Sequence, residues 1–254
     1  MTITDQYKDI TLRRTDRLAV LSVNRPRARN SVTKNTCLEI AAALNEVAHD
    51  PSISVLLFRG EGRDFCCGAD LKLDPDTAHG VLSAPEMRIH EATAVLHEMR
   101  AVTVAAIKGG CAGAGLGWAC ACDFRVADET AIFNTAFLSV GLAGDMATPW
   151  SLPRIVGAAR ARELSFFPGK VTADEALRFG LITRLWRAHE FEGELDSFVG
   201  ALLARSADAL RALKSNYVEA EKLSLRSYIE IEAERHIRLH NTSASVVAFE
   251  AKRK

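Results

Sequence analysis

The chain has no charge of one sign to spare: 32 Lys and Arg balance 32 Asp and Glu over 254 residues. A protein that grips nucleic acid through its phosphates carries a basic excess, so neutrality argues against that class. It suits instead a surface that associates with copies of itself. No run of about 18 uncharged apolar residues occurs, which removes a membrane-spanning helix. The opening stretch, MTITDQYKDITLRR, lacks the apolar segment of a secretory signal. The expectation is a soluble, cytoplasmic protein with neither a nucleic-acid nor a membrane partner.

Several catalytic signatures are also missing. Cysteines stand at 37, 66, 67, 111, 120 and 122 with no C-x-x-C spacing, so neither a zinc knuckle nor a thioredoxin-like pair is present. They read as small buried side chains, and no metal site is expected. The glycine-rich stretch GGCAGAGLGW fails the dinucleotide fingerprint, because Trp118 stands where the third glycine belongs. Gly169-Lys170 is followed by Val171, so there is no phosphate loop. His90-Glu91 and His97-Glu98 each begin like a zinc-protease motif, but Ala94 and Ala101 replace the second histidine. No Gly-x-Ser-x-Gly nucleophile elbow is found. Nicotinamide and metal cofactors are not implied.

What remains is a regular succession of strands, turns and helices. ITLRRTDRLAVLSVN alternates as paired strands, and ISVLLFRG and VTVAAIKG are apolar runs of buried-strand length. Between the first two lies a helix capped by Ser31 or Thr33, with Cys37, Leu38, Ile40, Ala41 and Leu44 as its apolar face, ending at Pro51. Ser83, Pro85 and Glu86 predict a capping box for the helix of EMRIHEATAVLHEMR. TPWSLPRIVGAARARELSFF predicts one helix with Thr148 as cap and Pro149 first inside it. In TADEALRFG, Thr172 and Glu175 form a box and Gly180 suits the exit. From about Glu190 only helical periodicity is left. The organisation is an α/β core of β-turn-α units over 1–190, followed by a helical subdomain over 191–254.

Two turns stand out for chemistry. A helix starting near Gly113–Gly115 leaves its first N–H groups unpaired and electropositive. The turn FCCGAD directs a second N–H toward the same region. Two such donors converging on one oxygen form an oxyanion hole, with a transition-state effect of several kcal/mol, about 3 for one donor.

With these motifs in hand, VNRPRARNSVT, FCCGADLK, GCAGAGLGWACACD, TADEALRFGLI and AFEAKRK resemble, in order and spacing, the crotonase or enoyl-CoA hydratase/isomerase superfamily. The resemblance covers about the whole chain. It implies a ββα spiral core, a C-terminal helical oligomerisation subdomain, a homotrimer or homohexamer, and an acyl-CoA thioester as substrate. No cofactor is implied beyond the coenzyme A moiety of that substrate. It places the oxyanion N–H groups at Ala69 and Ala114. It places Cys67, Asp70, Leu71 and Lys72 along the adenosine part of coenzyme A, and Ala28 beside the pantetheine–ADP bend. Phe249 and Lys252 resemble residues that close over coenzyme A, often from a neighbouring subunit.

The resemblance also shows where this chain departs. The two glutamates of the hydratases fall on Gly117 and Phe137. Ordinary two-glutamate hydration is therefore not expected. One acid remains, Asp145 in VGLAGDMATPW, at the position where isomerases of the family shuttle a proton and a related dehalogenase has a nucleophile. Its apolar flanks suit a carboxylate that exchanges protons with carbon. Asp145 is equally a candidate cap for the helix that follows. His90 and Phe137 resemble parts of the dehalogenase's aromatic and histidine environment, and Glu86 and Glu91 are further candidate partners. The leading expectation is an isomerase-type proton shuttle. The alternatives are hydration or hydrolysis of an unusual acyl-CoA with one carboxylate, and a coenzyme A ester-binding protein with little turnover.

Overall fold

Val55, Leu57, Val104, Ala106 and Val126 alternate with Leu56, Phe58, Ala105, Ile107 and Ala127, and all ten are buried. A strand side chain points to opposite faces in turn, so this pattern demands a sheet covered on both sides. A computed structural model of the chain, which describes residues 2–4, 7–72 and 88–242, shows such a sheet. The expected box at Ser83–Glu86, Met87 of the apolar stretch expected at the acyl end, and the residues Phe249 and Lys252 lie outside the described residues.

The strands are β1 (Thr2–Thr4), β2 (Ile10–Thr15), β3 (Leu18–Val23), β4 (Val55–Gly60), β5 (Val102–Ile107), β6 (Gly110–Ala112), β7 (Phe124–Asp128), β8 (Ile132–Asn134), β9 (Val171–Thr172) and β10 (Arg184–Trp186). Seven of them form one sheet in the order β1-β2-β3-β4-β5-β7-β10. The β1–β2 and β2–β3 pairs are antiparallel, and every later pair is parallel. Strands β6, β8 and β9 make a second, small sheet. The helices are α1 (Lys34–His49), α2 (Arg88–Glu98), α3 (Ala114–Ala121), α4 (Thr148–Val156), α5 (Ala158–Phe166), α6 (Ala173–Arg178), α7 (Phe191–Leu203), α8 (Ala207–Ala220) and α9 (Leu225–His240).

Each β-turn-α unit rests on the one before it. Val32 bridges Ala69 and Cys66 bridges Cys111, both in parallel register, so successive turns stack at the edge of the small sheet. This is the ββα spiral the sequence implied. One sheet face carries α1, α2 and α3 through Ile40, Leu44, Leu96 and Trp118. The other carries α7 through Phe191, Leu195 and Val199.

Local signals held where the backbone had no competing demand. Thr33 caps α1: its hydroxyl accepts the Thr36 N–H at 3.2 Å, and the Thr36 hydroxyl accepts the Thr33 N–H at 3.2 Å. The Thr172–Glu175 box is present, and Gly180 exits α6 at φ 75°. Two details differ. Thr148 is the first residue of α4 rather than its cap, a place taken by Ala147 in a left-handed conformation. The expected single helix is two, because Gly157 at φ 79° breaks it. Five of the six thiols are buried, as read from the sequence; burial pushes those of Cys37 and Cys66 up to about 12. Among the described residues no helix is long and apolar enough to cross a membrane.

The C-terminal helices are tied down by cations that reach across the seam. Arg17 donates to the Leu203 and Arg205 carbonyls, both at 3.0 Å. Lys214 on α8 is 5% exposed, lies 2.9 Å from the Asp123 carboxylate and donates to the Ala101 carbonyl at 2.9 Å. Removing one partner of a buried pair strands the other, so Lys214→Ala should lower stability by about 2 kcal/mol. Asp123 keeps its bonds to Thr103, which limits the loss. A shift in the urea midpoint measures it.

Glu192 on α7 accepts from Arg59 at 2.7 Å and Lys108 at 3.0 Å, which together hold its pKa down at about 2, Arg59 contributing most. A depressed carboxyl contributes stability above its unfolded value of about 4.3 and loses it as pH falls toward the folded value. The stability gap between the natural chain and Glu192→Gln should therefore be full at pH 6 and close as pH falls from about 4.5 toward 2. Denaturation series at stepped pH test this.

Candidate active site

Two glycines allow two turns to touch. Gly68 has φ 86° and Gly113 has φ 54°, a region that penalises any side chain. A Cβ on Gly68 would stand 3.0 Å from the Ala112 carbonyl and 3.5 Å from Gly113 Cα. Each glycine is followed by an alanine, Ala69 and Ala114. The turn carrying Ala69 is pinned on both sides, since Val32 N–H donates to the Gly68 carbonyl at 2.8 Å and Asp70 N–H to the Val32 carbonyl at 3.0 Å. The Ala69 N–H itself has no acceptor among the described residues. Ala114 is the first residue of α3, so its N–H has no partner within the helix.

Both alanines line a cavity of about 430 Å³. Its apolar wall comes from Cys37, Ile89, Phe137, Val140, Leu142 and Met146. Its polar groups are Asp145, His90, Thr33, Lys34 and the Cys67 thiol. Asp145 is the single carboxylate in the lining among the described residues, and its Oδ1 lies 3.1 Å from His90 Nδ1. Both side chains are partly open to the cavity, at 31% and 44% exposure. The histidine that the sequence left as one of several candidate partners is thus the one in contact. Glu91, one residue on, is exposed and outside the lining, and Glu86 is outside the described residues. A more open hollow of about 660 Å³ beside Gly157 and Phe179 shares no residue with the two turns.

Asp145 does not cap α4 with its side chain. Its carboxylate accepts the N–H of Met146 at 2.7 Å, while its backbone carbonyl accepts the Thr148 N–H at 2.9 Å and hydroxyl at 2.7 Å. The main chain makes the turn, and one carboxylate oxygen is committed to it. That oxygen, Oδ1, is also the one facing His90, which leaves Oδ2 for a ligand.

The remaining sequence candidates surround the cavity at different depths. Cys67 is half-buried in the lining; burial first, then the Asp64 carboxylate, push its thiol pKa up. Asp64 is ordered by Arg29 at 2.9 Å and Gly110 N–H at 2.8 Å, which hold its carboxyl below the usual range against the upward push of burial. Leu71 lies 65% exposed on the rim. Asp70 points back into the protein to an ion pair with Arg25 at 3.0 Å. Lys72 is exposed, and Ala28 sits half-buried in a 3-10 turn (Pro26–Ala28). Asp70, Lys72 and Ala28 are not in the cavity wall. Among the described residues no group of three or more His, Cys, Asp or Glu is arranged to hold a metal ion.

Much of the apolar wall was legible in the sequence: Leu142 and Met146 flank Asp145, Phe137 resembles part of an aromatic environment, and Ile89 belongs to the helical stretch expected, with Met87 and Val95, at the acyl end. Val140, which the sequence reading missed, ends a 3-10 turn (Phe137–Val140) whose side chains carry no periodic signal.

Comparison with known proteins agrees with this arrangement. A family model described as enoyl-CoA hydratase/isomerase matches residues 13–254. A crotonyl-CoA hydratase from Syntrophomonas wolfei is 32% identical over 90% of this chain and 88% of its own. A 4-chlorobenzoyl coenzyme A dehalogenase from an Arthrobacter species is 31% identical over 89% of this chain and 83% of its own. The crystal structure of an enoyl-CoA hydratase from Polaromonas superposes with a TM-score of 0.85 at 27% identity, covering 96% of this chain and 97% of that one. Fold, paired glycine turns and sequence together place the chain in the enoyl-CoA hydratase/isomerase family of the crotonase superfamily.

Proposed function

We propose that the chain is an acyl-CoA isomerase in which Asp145 carries one proton between two carbons of the bound thioester. The observation that carries this reading is the pairing of one cavity carboxylate with two unpartnered amide donors. The carboxylate removes a proton from the carbon next to the thioester carbonyl of a 3-enoyl group. Electron density moves onto the carbonyl oxygen, where the Ala69 and Ala114 N–H groups stabilise the dienolate. Asp145, now protonated, returns the same proton to the γ carbon, and the double bond lies at C2–C3. Nothing is added or lost, so no activated water is required. This suits a site with Gly117 and Phe137 where paired glutamates would stand.

The carrier end follows from the same turn. Cys67, Leu71 and Lys72 would run along the adenosine part of coenzyme A, with Ala28 at its bend and Asp70 holding the loop through Arg25. Arg29, Arg63 and Lys72 supply exposed positive charge near that turn for phosphates. Phe249 and Lys252 would close over it. Self-association as a trimer or hexamer is supported by α9, which has no buried residue and leaves Leu225, Ile229 and Ile237 exposed.

The His90–Asp145 contact favours a second reading, hydrolytic displacement, and the similarity to a 4-chlorobenzoyl coenzyme A dehalogenase points the same way. Here the Asp145 carboxylate attacks a halogen-bearing ring carbon and halide leaves. His90 then takes a proton from the water that hydrolyses the aspartyl ester.

The two readings label different atoms. Under the isomerase reading, 3-butenoyl-CoA turned over in D2O gives crotonyl-CoA that retains α-derived protium at its γ carbon, with any deuterium from competing exchange confined to the α and γ carbons. Asp145→Asn should lower that rate by at least about 10³-fold while leaving binding within threefold. Under the second, single turnover of 4-chlorobenzoyl-CoA in H2(18)O leaves label in the Asp145 carboxylate. Binding of acyl-CoA without exchange, turnover or label across chain lengths would replace both with a coenzyme A ester-binding protein.

A further inference from the structure

Directly after Asp145, two residues with side chains adopt the left-handed conformation: Met146 at φ 46° and Ala147 at φ 54°. Non-glycine residues persist there only when their surroundings over-determine them. Thr148 binds the Asp145 carbonyl twice, as described. The other constraint lies on α3. Met146 is 3% exposed, and its sulfur accepts the buried Thr93 hydroxyl at 3.5 Å. Its backbone is seated against Gly117. A Cβ on Gly117 would stand 2.6 Å from Met146 Cβ, 2.9 Å from the Met146 carbonyl oxygen and 2.8 Å from Thr148 Oγ1. Every one of those atoms belongs to the turn that presents Asp145.

We infer that Gly117 is a positioning residue: the missing side chain is the socket in which the Met146–Ala147 turn seats, and it thereby sets the Asp145 carboxylate against His90. The register supports this. Gly117 follows Ala114 by three residues on α3, so both lie on one helical face. One rigid helix carries the oxyanion donor at its first residue and the seat of the acid one turn later, fixing the two relative to each other. Gly117 costs α3 helix propensity relative to alanine, a cost with no purpose inside the helix itself. The socket also makes two catalytic layouts mutually exclusive. A glutamate at 117 would not add a second carboxylate beside Asp145; it would unseat the first.

This rests on Asp145 acting on the acyl group, but its test does not. His90 ring 15N shifts in the full-length protein report the Asp145 contact directly, with Asp145→Asn defining the contact-free value. Gly117→Ala should move the shifts toward that value. With 3-butenoyl-CoA it should lower kcat at least tenfold while the dissociation constant of butyryl-CoA stays within threefold, a split that general destabilisation does not give. Gly117→Glu should behave the same way and show no hydration of crotonyl-CoA. Should Gly117→Ala fail to fold, Met146→Ala removes the side chain that anchors the same turn through Thr93 and should move the His90 shifts in the same direction. Unchanged His90 shifts in the folded variant overturn the inference. An unchanged rate in Asp145→Asn, with His90 shifts still moved by Gly117→Ala, overturns the isomerase reading and leaves the socket standing.

Discussion

Everything in the site depends on the close approach of two glycine turns. Gly68 and Gly113 let the main chain of one spiral unit press against the next, and the alanines that follow line a cavity, their N–H groups without an acceptor among the described residues. An unpaired buried N–H is costly, and a fold keeps one only where something else satisfies it. The stacked registers Val32–Ala69 and Cys66–Cys111 hold that geometry, and the sheet beneath holds the stack. The adjacent cysteines of the first turn belong to this packing. Cys66 is wholly buried under Gly115, and Cys67 leans on Gly110.

The acid is delivered by other means. The proposed oxyanion donors come from regular, repeated units, whereas the proposed acid, Asp145, comes from a strained connection that follows a 3-10 turn and precedes α4. Positive φ at Gly141, Gly144, Met146 and Ala147 gives that connection its shape. That connection lies outside the stacked units, so the proposed donor pair and the proposed acid are separable parts of the site. The three proteins compared above include two hydratases and a dehalogenase by name, all similar to this one chain, as that separation allows.

Legibility from sequence followed the same division. The spiral was readable because its parts repeat: apolar runs of strand length, capped helices at Thr33 and Thr172, and glycines before each donor. The paired glycine turns were readable because they need only small residues at fixed places. The strained connection was not. Thr148 looks like a cap and becomes the first helical residue, because Asp145 supplies a backbone carbonyl instead of a side chain. Gly157 looked tolerable within a helix and breaks it. His90 was one of three candidate partners until the fold put it 3.1 Å from Asp145. Gly117 read only as a glutamate that is absent, since nothing in one sequence says that a glycine is shaped to receive Met146.

Because the donors proposed at Ala69 and Ala114 are peptide nitrogens, the residues that would stabilise the negative charge are already the ones to which side-chain truncation reduces everything else. A scan replacing each position by alanine passes over both without a signal. Their work becomes visible only when the peptide link itself is altered, as by an ester in place of the amide, or when the glycine in front of each is made to carry a side chain.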